Sequence, residues 1–165
     1  MVKKPLGLDL LKGSESVALN LESVGKSFES DRTYLVGREK IREFARAVGE
    51  TSAVCHDVTA AKAAGYADLI APVTFPIAIT LEIMGESATS PEVGLNWSRV
   101  VHGDQRFKYE RPIVAGDELS VTTVIEDIKA IAGNHMITLR GDVYAADKSL
   151  VAQVWTGLVE RGENA

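Results

Sequence analysis

The hydrophobic period of this chain changes midway, and that change limits the folds open to it. In the first half the apolar residues follow helical spacing. Ile41, Phe44, Ala45 and Val48 recur at i, i+3, i+4 and i+7, which puts them on one face of a helix. Arg38, Glu39, Arg42, Glu43 and Arg46 fill the opposite face, and Gly49 is placed to end the helix. The stretch from Glu50 to His56 reads as a loop. Asp57 then reads as the cap of a short helix over Val58 to Ala64, closed by Gly65. Beyond Trp97 the period shortens. Trp97 to Glu110 mixes alternation with many β-formers, and Leu119, Val121, Thr123 and Ile125 alternate with mostly polar neighbours. Ile137, Leu139, Val143 and Ala145 share one parity with Gly141 between them, and Val151 to Val159 makes a last strand around Trp155. Gly133-Asn134 and Asp147-Lys148 supply the turns. Helices first and antiparallel strands afterwards define an α+β chain, with a strand near Gly25 to Tyr34 expected to complete the sheet.

Between the two halves lies the most apolar segment, Pro72 to Met84. Phe75, Ile77, Ile79, Leu81 and Ile83 are apolar, and so are Ala78 and Met84, so amphipathicity is lost. This predicts a helix buried nearly all round, with Pro76 in its first turn and Gly85 as its stop. The alternation of Ile77, Ile79, Leu81 and Ile83 also fits a strand; the length and Gly85 favour the helix. A long buried helix beside a run of strands predicts a sheet wrapped around it.

With 165 residues the chain suits one domain and needs neither disulfides nor metal to bury a core. Its formal net charge of −5 argues against a nucleic-acid partner. Cys55 is the only cysteine, which excludes an intrachain disulfide, and His56, His102 and His135 show no metal-ligand spacing. No run approaches the ~18 apolar residues of a membrane span. Lys3 and Lys4 could open a signal peptide, but Pro5, Asp9 and Lys12 interrupt it, so a cytoplasmic protein without a membrane partner is expected. Met1 to Ser23 is weakly patterned and reads as an arm outside the domain proper.

Three groups of residues carry a more specific signal. The first runs from Phe44-Ala45-Arg46-Ala47-Val48-Gly49-Glu50 through Thr51-Ser52-Ala53-Val54-Cys55-His56-Asp57, followed by Ala60 to Tyr66. The second is Ala71-Pro72-Val73-Thr74-Phe75. The third is Val101-His102-Gly103-Asp104-Gln105-Arg106-Phe107, leading into Arg111-Pro112-Ile113-Val114-Ala115-Gly116-Asp117. Together, over residues 24–162, they resemble the MaoC-like hot-dog hydratases and dehydratases. The resemblance is strongest to the non-catalytic-type subunits of the heterodimeric (3R)-hydroxyacyl-carrier-protein dehydratases of mycolic-acid synthesis, and extends to dehydratase domains of the type I fatty-acid-synthase kind. It implies an antiparallel sheet wrapped around a central helix, acid–base chemistry on an acyl-CoA or acyl-carrier-protein thioester without a cofactor, and a homodimer or a heterodimer with a homologous catalytic subunit.

Active members of that family carry an Asp, then Asn-Pro, then a His five residues after the Asp. Laid on this chain without gaps, the Asp falls on Glu50, the Asn on Ser52, the Pro on Ala53 and the His on Cys55, while His56 follows one residue late. The family's His-Gly before the central helix becomes Pro72-Val73, which removes one N–H donor. The resemblance thus implies Glu50 and His56 as candidate catalytic residues. Cys55, Pro72, Val73, Thr74, Phe75, Ile79 and Met84 become candidates for substrate binding, the last three beside an acyl tunnel. Three readings stay open: a subunit whose partner supplies the dyad, a self-sufficient hydratase using a shifted Glu50–His56 pair, and an acyl-thioester binding or scaffold module without chemistry. Arg38, Lys40, Arg42 and Arg46 on one helix are candidates for docking an acidic carrier, or else a solvated helix face.

Overall fold

The computed structural model describes residues 19–162. In chain order these form β1 (Ser27–Glu29), β2 (Tyr34–Leu35), α1 (Arg38–Val48), α2 (Val58–Ala63), α3 (Ile77–Thr89), β3 (Val100–Tyr109), β4 (Glu118–Ile131), β5 (Asn134–Ala145) and β6 (Leu150–Glu160). The strands join in one six-stranded antiparallel sheet of order β1-β4-β5-β6-β3, and β2 also pairs with β4. Phe28 lies opposite Thr123, and Tyr34 opposite Leu119. The strand expected near Gly25 to Tyr34 is therefore two short strands along one edge of β4. Of the expected arm Met1 to Ser23, residues 1–18 lie outside the described residues; further on, the Asn20 N–H donates to the Val93 carbonyl at 2.8 Å and Ser23 is buried.

The alternation of the C-terminal half survives as the inner face of the sheet. Leu119, Val121, Thr123 and Ile125 of β4 are buried, as are Ile137, Leu139 and Val143 of β5 and Val154, Thr156 and Leu158 of β6. Helix α3 packs on this face against β4 and β5. Gly141 of β5 makes the close approach possible: a Cβ there would lie 2.9 Å from Met84 Sδ and 3.6 Å from Thr80 Cγ2. Met84 thus occupies the notch that a glycine leaves in the sheet.

Helix α3 differs from its sequence expectation at both ends. It starts at Ile77, because a helix running through Pro72 to Pro76 would drive the Pro76 ring into the carbonyl four residues back. The helix then passes through Gly85 and ends at Thr89. An interior glycine costs only ~1 kcal/mol relative to alanine, and the Trp97 ring packs over Gly85. The stop comes from Pro91, which holds Ser90 in extended backbone with ψ 153. The helix is also not buried all round. Ile79, Thr80, Met84, Gly85 and Ala88 are buried, whereas Leu81 is 44% exposed and Glu82 faces solvent. Arg32, in the loop between β1 and β2, reaches across this outer face to Glu82 at 3.3 Å and to Glu86.

This orientation separates two residues that the sequence left equivalent. Met84→Ala should destabilise the protein by about 2–5 kcal/mol through transfer loss and a cavity against Gly141. Leu81→Ala should cost under about 1 kcal/mol. Urea titrations of both variants check the difference.

Candidate active site

Helix α1 ends as its sequence predicts. Gly49 adopts the left-handed conformation with φ 73, and its N–H turns back to the Ala45 and Arg46 carbonyls. The chain then leaves the helix through Glu50 to Ser52 into a 3-10 turn at Ala53–Cys55. Asp57 caps α2 by accepting from the Thr59 N–H at 2.7 Å.

Within this loop both candidate acid–base residues are engaged by the backbone. Glu50 Oε1 accepts from the Ser52 N–H at 2.8 Å. His56 Nε2 lies 2.8 Å from the backbone carbonyl oxygen of Glu50. A carbonyl oxygen only accepts, so Nε2 carries the proton and, in the neutral ring, Nδ1 is the basic nitrogen. Among the described residues no hydrogen bond joins the Glu50 carboxylate to the His56 ring. Arg42 Nε donates to the His56 carbonyl at 2.9 Å and ties the loop to α1. Cys55 is 3% exposed, and burial raises its thiol pKa, with the Glu50 charge adding to the effect. The carboxylate at 50 and the thiol at 55 therefore sense each other, while the thiol stays protonated.

The second wall is the segment before α3. The Ile70 N–H donates to the Val54 carbonyl at 3.1 Å, the Ala71 N–H to Ile113 at 2.9 Å, and the Ala115 N–H to Leu69 at 2.9 Å. The Arg111–Asp117 stretch thus serves as scaffold. Arg111 holds the Asp117 carboxylate with two prongs, at 2.8 and 3.0 Å, while the Val114 N–H donates to the same carboxylate at 2.9 Å. Phe75 is fully buried, with the rings of Phe44 and Tyr34 edge-on at centroid distances of 5.4 and 6.5 Å. Just before it the backbone surfaces: Pro72 is buried, whereas Thr74 is exposed and Val73 is 73% exposed. Among the described residues, no acceptor meets the backbone N–H of Val73 or Thr74.

Phe75 and Ile79 belong to one buried cluster, with Cys55 and Leu69, and Met84 belongs to a second, with Ile125 and Leu139. Of the basic residues on α1, Arg38 pairs with Asp68, Lys40 with Glu43 and Arg42 with Glu39. The sequence reading missed Tyr109, whose hydroxyl donates to the Val73 carbonyl at 2.8 Å. Its only signal was the shared parity of Gln105, Phe107 and Tyr109 on β3. Among the described residues no group of three or more His, Cys, Asp or Glu side chains is placed to hold a metal ion, and no helix is long and apolar enough to cross a membrane.

A family model described as "FAS1-like, dehydratase domain region" matches residues 22–154. The chain belongs to this dehydratase family. A UPF0336 protein of Streptomyces griseus subsp. griseus is 50% identical to it over 145 residues, covering 88% of this chain and 97% of that protein. Among solved structures, a MaoC-like dehydratase is 33% identical with a TM-score of 0.81, covering 88% of this chain and 44% of that one. This chain therefore spans less than half the length of that protein. The C-terminally truncated HadBC (3R-hydroxyacyl-ACP dehydratase) complex from Mycobacterium tuberculosis is similar over 83% of this chain and 96% of its own, at 30% identity and a TM-score of 0.76. The fold is the hot-dog fold of these dehydratases.

The segment leading to α3 is anchored by charge as well as packing. Arg38 Nε and Nη2 lie 2.9 and 2.6 Å from the two Asp68 oxygens, and the Leu69 N–H adds 2.7 Å to the first. The Arg38 hydrogen bond is the main cause holding the Asp68 carboxyl down at about 2. A lowered folded pKa stabilises fully above the unfolded value of ~3.9, and the effect is lost as pH falls through the folded value. Asp68→Asn should therefore lower the thermal midpoint at pH 7. The gap to wild type should close as pH falls from 4 towards 2, as read by melts across that range.

Proposed function

We propose that this chain is one hot-dog subunit of a (3R)-hydroxyacyl-thioester dehydratase or enoyl-thioester hydratase. It binds the acyl thioester, carried by CoA or a carrier protein, and a homologous subunit supplies the acid–base dyad. The observation that carries this reading is the engagement of Glu50 and His56. The carboxylate is held by the Ser52 N–H and the His56 ring by the Glu50 carbonyl, while a buried thiol stands at position 55.

The chemistry follows from what is left available. Water adds to the β-carbon of an enoyl thioester as a base removes its proton, and the α-carbon receives a proton from an acid. Negative charge develops on the thioester oxygen meanwhile, and backbone N–H groups aimed at it stabilise that charge. Val73 and Thr74 offer such groups at the mouth of the loop. Phe75 and Ile79, buried behind them, mark the side on which the acyl chain enters. The Arg111–Asp117 clamp keeps this wall in place, and β3, the sheet's last strand, offers an edge for a homodimeric or heterodimeric partner. The unit that does this work is residues 24–162, and its buried free thiol suits the reducing cytoplasm.

A second reading, in which the chain is self-sufficient, draws on one observation. His56 Nδ1 is free to act as a base if the ring keeps its bond to Glu50. Crotonyl-CoA hydration by the purified chain separates the two. The subunit reading predicts weak turnover that Glu50→Gln and His56→Ala change by less than about threefold. It also predicts a rise of about 10²-fold or more when a homologous subunit with an intact Asp and His is added. Robust turnover by the chain alone that both substitutions abolish, with the fold intact, would overturn it in favour of the shifted pair.

A further inference from the structure

Tyr109 sits at the end of β3, opposite Ala152 of β6, and points towards the turn that precedes α3. Its hydroxyl donates to the Val73 carbonyl at 2.8 Å. That carbonyl and the Thr74 N–H belong to one peptide unit. A trans peptide is planar, so its C=O and N–H point in opposite directions. Whatever fixes the Val73 oxygen therefore fixes the direction of the Thr74 hydrogen. With Tyr109 holding the oxygen from the sheet side, the Thr74 N–H is turned away from the sheet, where no described residue accepts it.

We infer that Tyr109 is a positioning residue: it orients and polarises the Val73–Thr74 peptide so that the Thr74 N–H is a preorganised donor to the thioester carbonyl. The inference rests on the acyl-thioester reading above and adds a residue to it. Two physical effects act together. The hydrogen bond locks the peptide plane, which otherwise lies in an exposed turn and would have to reorganise when the substrate arrives. Drawing electron density through the carbonyl also makes the N–H of the same peptide a stronger donor, the cooperative effect known for chains of hydrogen bonds.

The rest of the surroundings agree. Val73 is 73% exposed, so packing of its own side chain does not hold the peptide. Among the described residues, the flanking hydrogen bonds, Phe75 N–H to Pro72 and Ile77 N–H to Thr74, leave the plane between residues 73 and 74 to Tyr109. Tyr109 packs against the same buried cluster as Phe75, which fixes the ring before its hydroxyl reaches out. Burial raises the Tyr109 pKa, so the hydroxyl keeps its proton and remains a donor over the working range of pH.

The test is vibrational. Crotonyl-CoA labelled with carbon-13 at the thioester carbonyl is bound to the full chain, and the carbonyl stretch is read by isotope-edited infrared difference spectroscopy. Wild type should shift the stretch to lower frequency. Tyr109→Phe should still bind the probe but lose most of that shift. Replacing Tyr109 with a fluorinated tyrosine, a stronger donor of nearly the same shape, should restore the shift and deepen it. The fluorinated variant keeps the test open if the phenylalanine variant fails to fold. A full shift retained in folded Tyr109→Phe, or a shift unmoved by fluorination, overturns the role of Tyr109 while leaving the binding site standing. Failure of wild type to bind crotonyl-CoA at all overturns the acyl-thioester reading itself, and the inference with it.

Discussion

Seating α3 on the inner face of the sheet is the constraint from which the rest of the structure follows. Met84 enters the notch left by Gly141, and the Trp97 ring covers Gly85 from another side. A side chain at residue 141 would hold the helix off the strands, and the buried clusters of β4 and β5 would lose their partner. Because the C-terminal part of α3 is fixed in this way, the segment feeding into it must arrive at a set height above the sheet. That segment is the wall of the candidate site. Its position is thus decided by packing a helix turn or two away, and Phe75, held edge-on by Phe44 and Tyr34, carries the position across to α1.

The Glu50 loop reaches the same place from the other side. Gly49 turns the chain back on α1, Arg42 grips the His56 carbonyl, and Ile70 bonds to Val54. These contacts bring the carboxylate at 50 and the thiol at 55 close enough for the charge of one to raise the pKa of the other. Position 55 holds a thiol that burial keeps neutral, which neither donates nor accepts protons readily near neutral pH.

Much of this was legible in the sequence because it rested on periodicity and local chemistry. The face of α1, the Gly49 stop, the Asp57 cap and the inward parity of β4 to β6 all follow from spacing within one element. The misread features depended on contacts between elements. The passage of α3 through Gly85 rests on Trp97, twelve residues on, and the exposure of Leu81 depends on which face the sheet chose. Tyr109 was missed for the same reason, since its partner is the backbone of Val73 in another element. The two-part split of the strand near Gly25 to Tyr34 also lay beyond local reasoning, because only pairing to β4 shows where it breaks. Nor does spacing reveal that His56 turns to a backbone carbonyl and not to the carboxylate beside it.

The central proposal is that this chain binds the acyl thioester while its own acid–base pair is incomplete. The most direct measurement is the rate of crotonyl-CoA hydration by the isolated double variant Glu50→Asp, Cys55→His, set against wild type with the fold of each checked by circular dichroism. Placing an aspartate at position 50 and a histidine at position 55 should raise the rate at least about tenfold, within the range that positioned acid–base groups contribute. A folded double variant that binds crotonyl-CoA and hydrates it no faster than wild type would contradict the account.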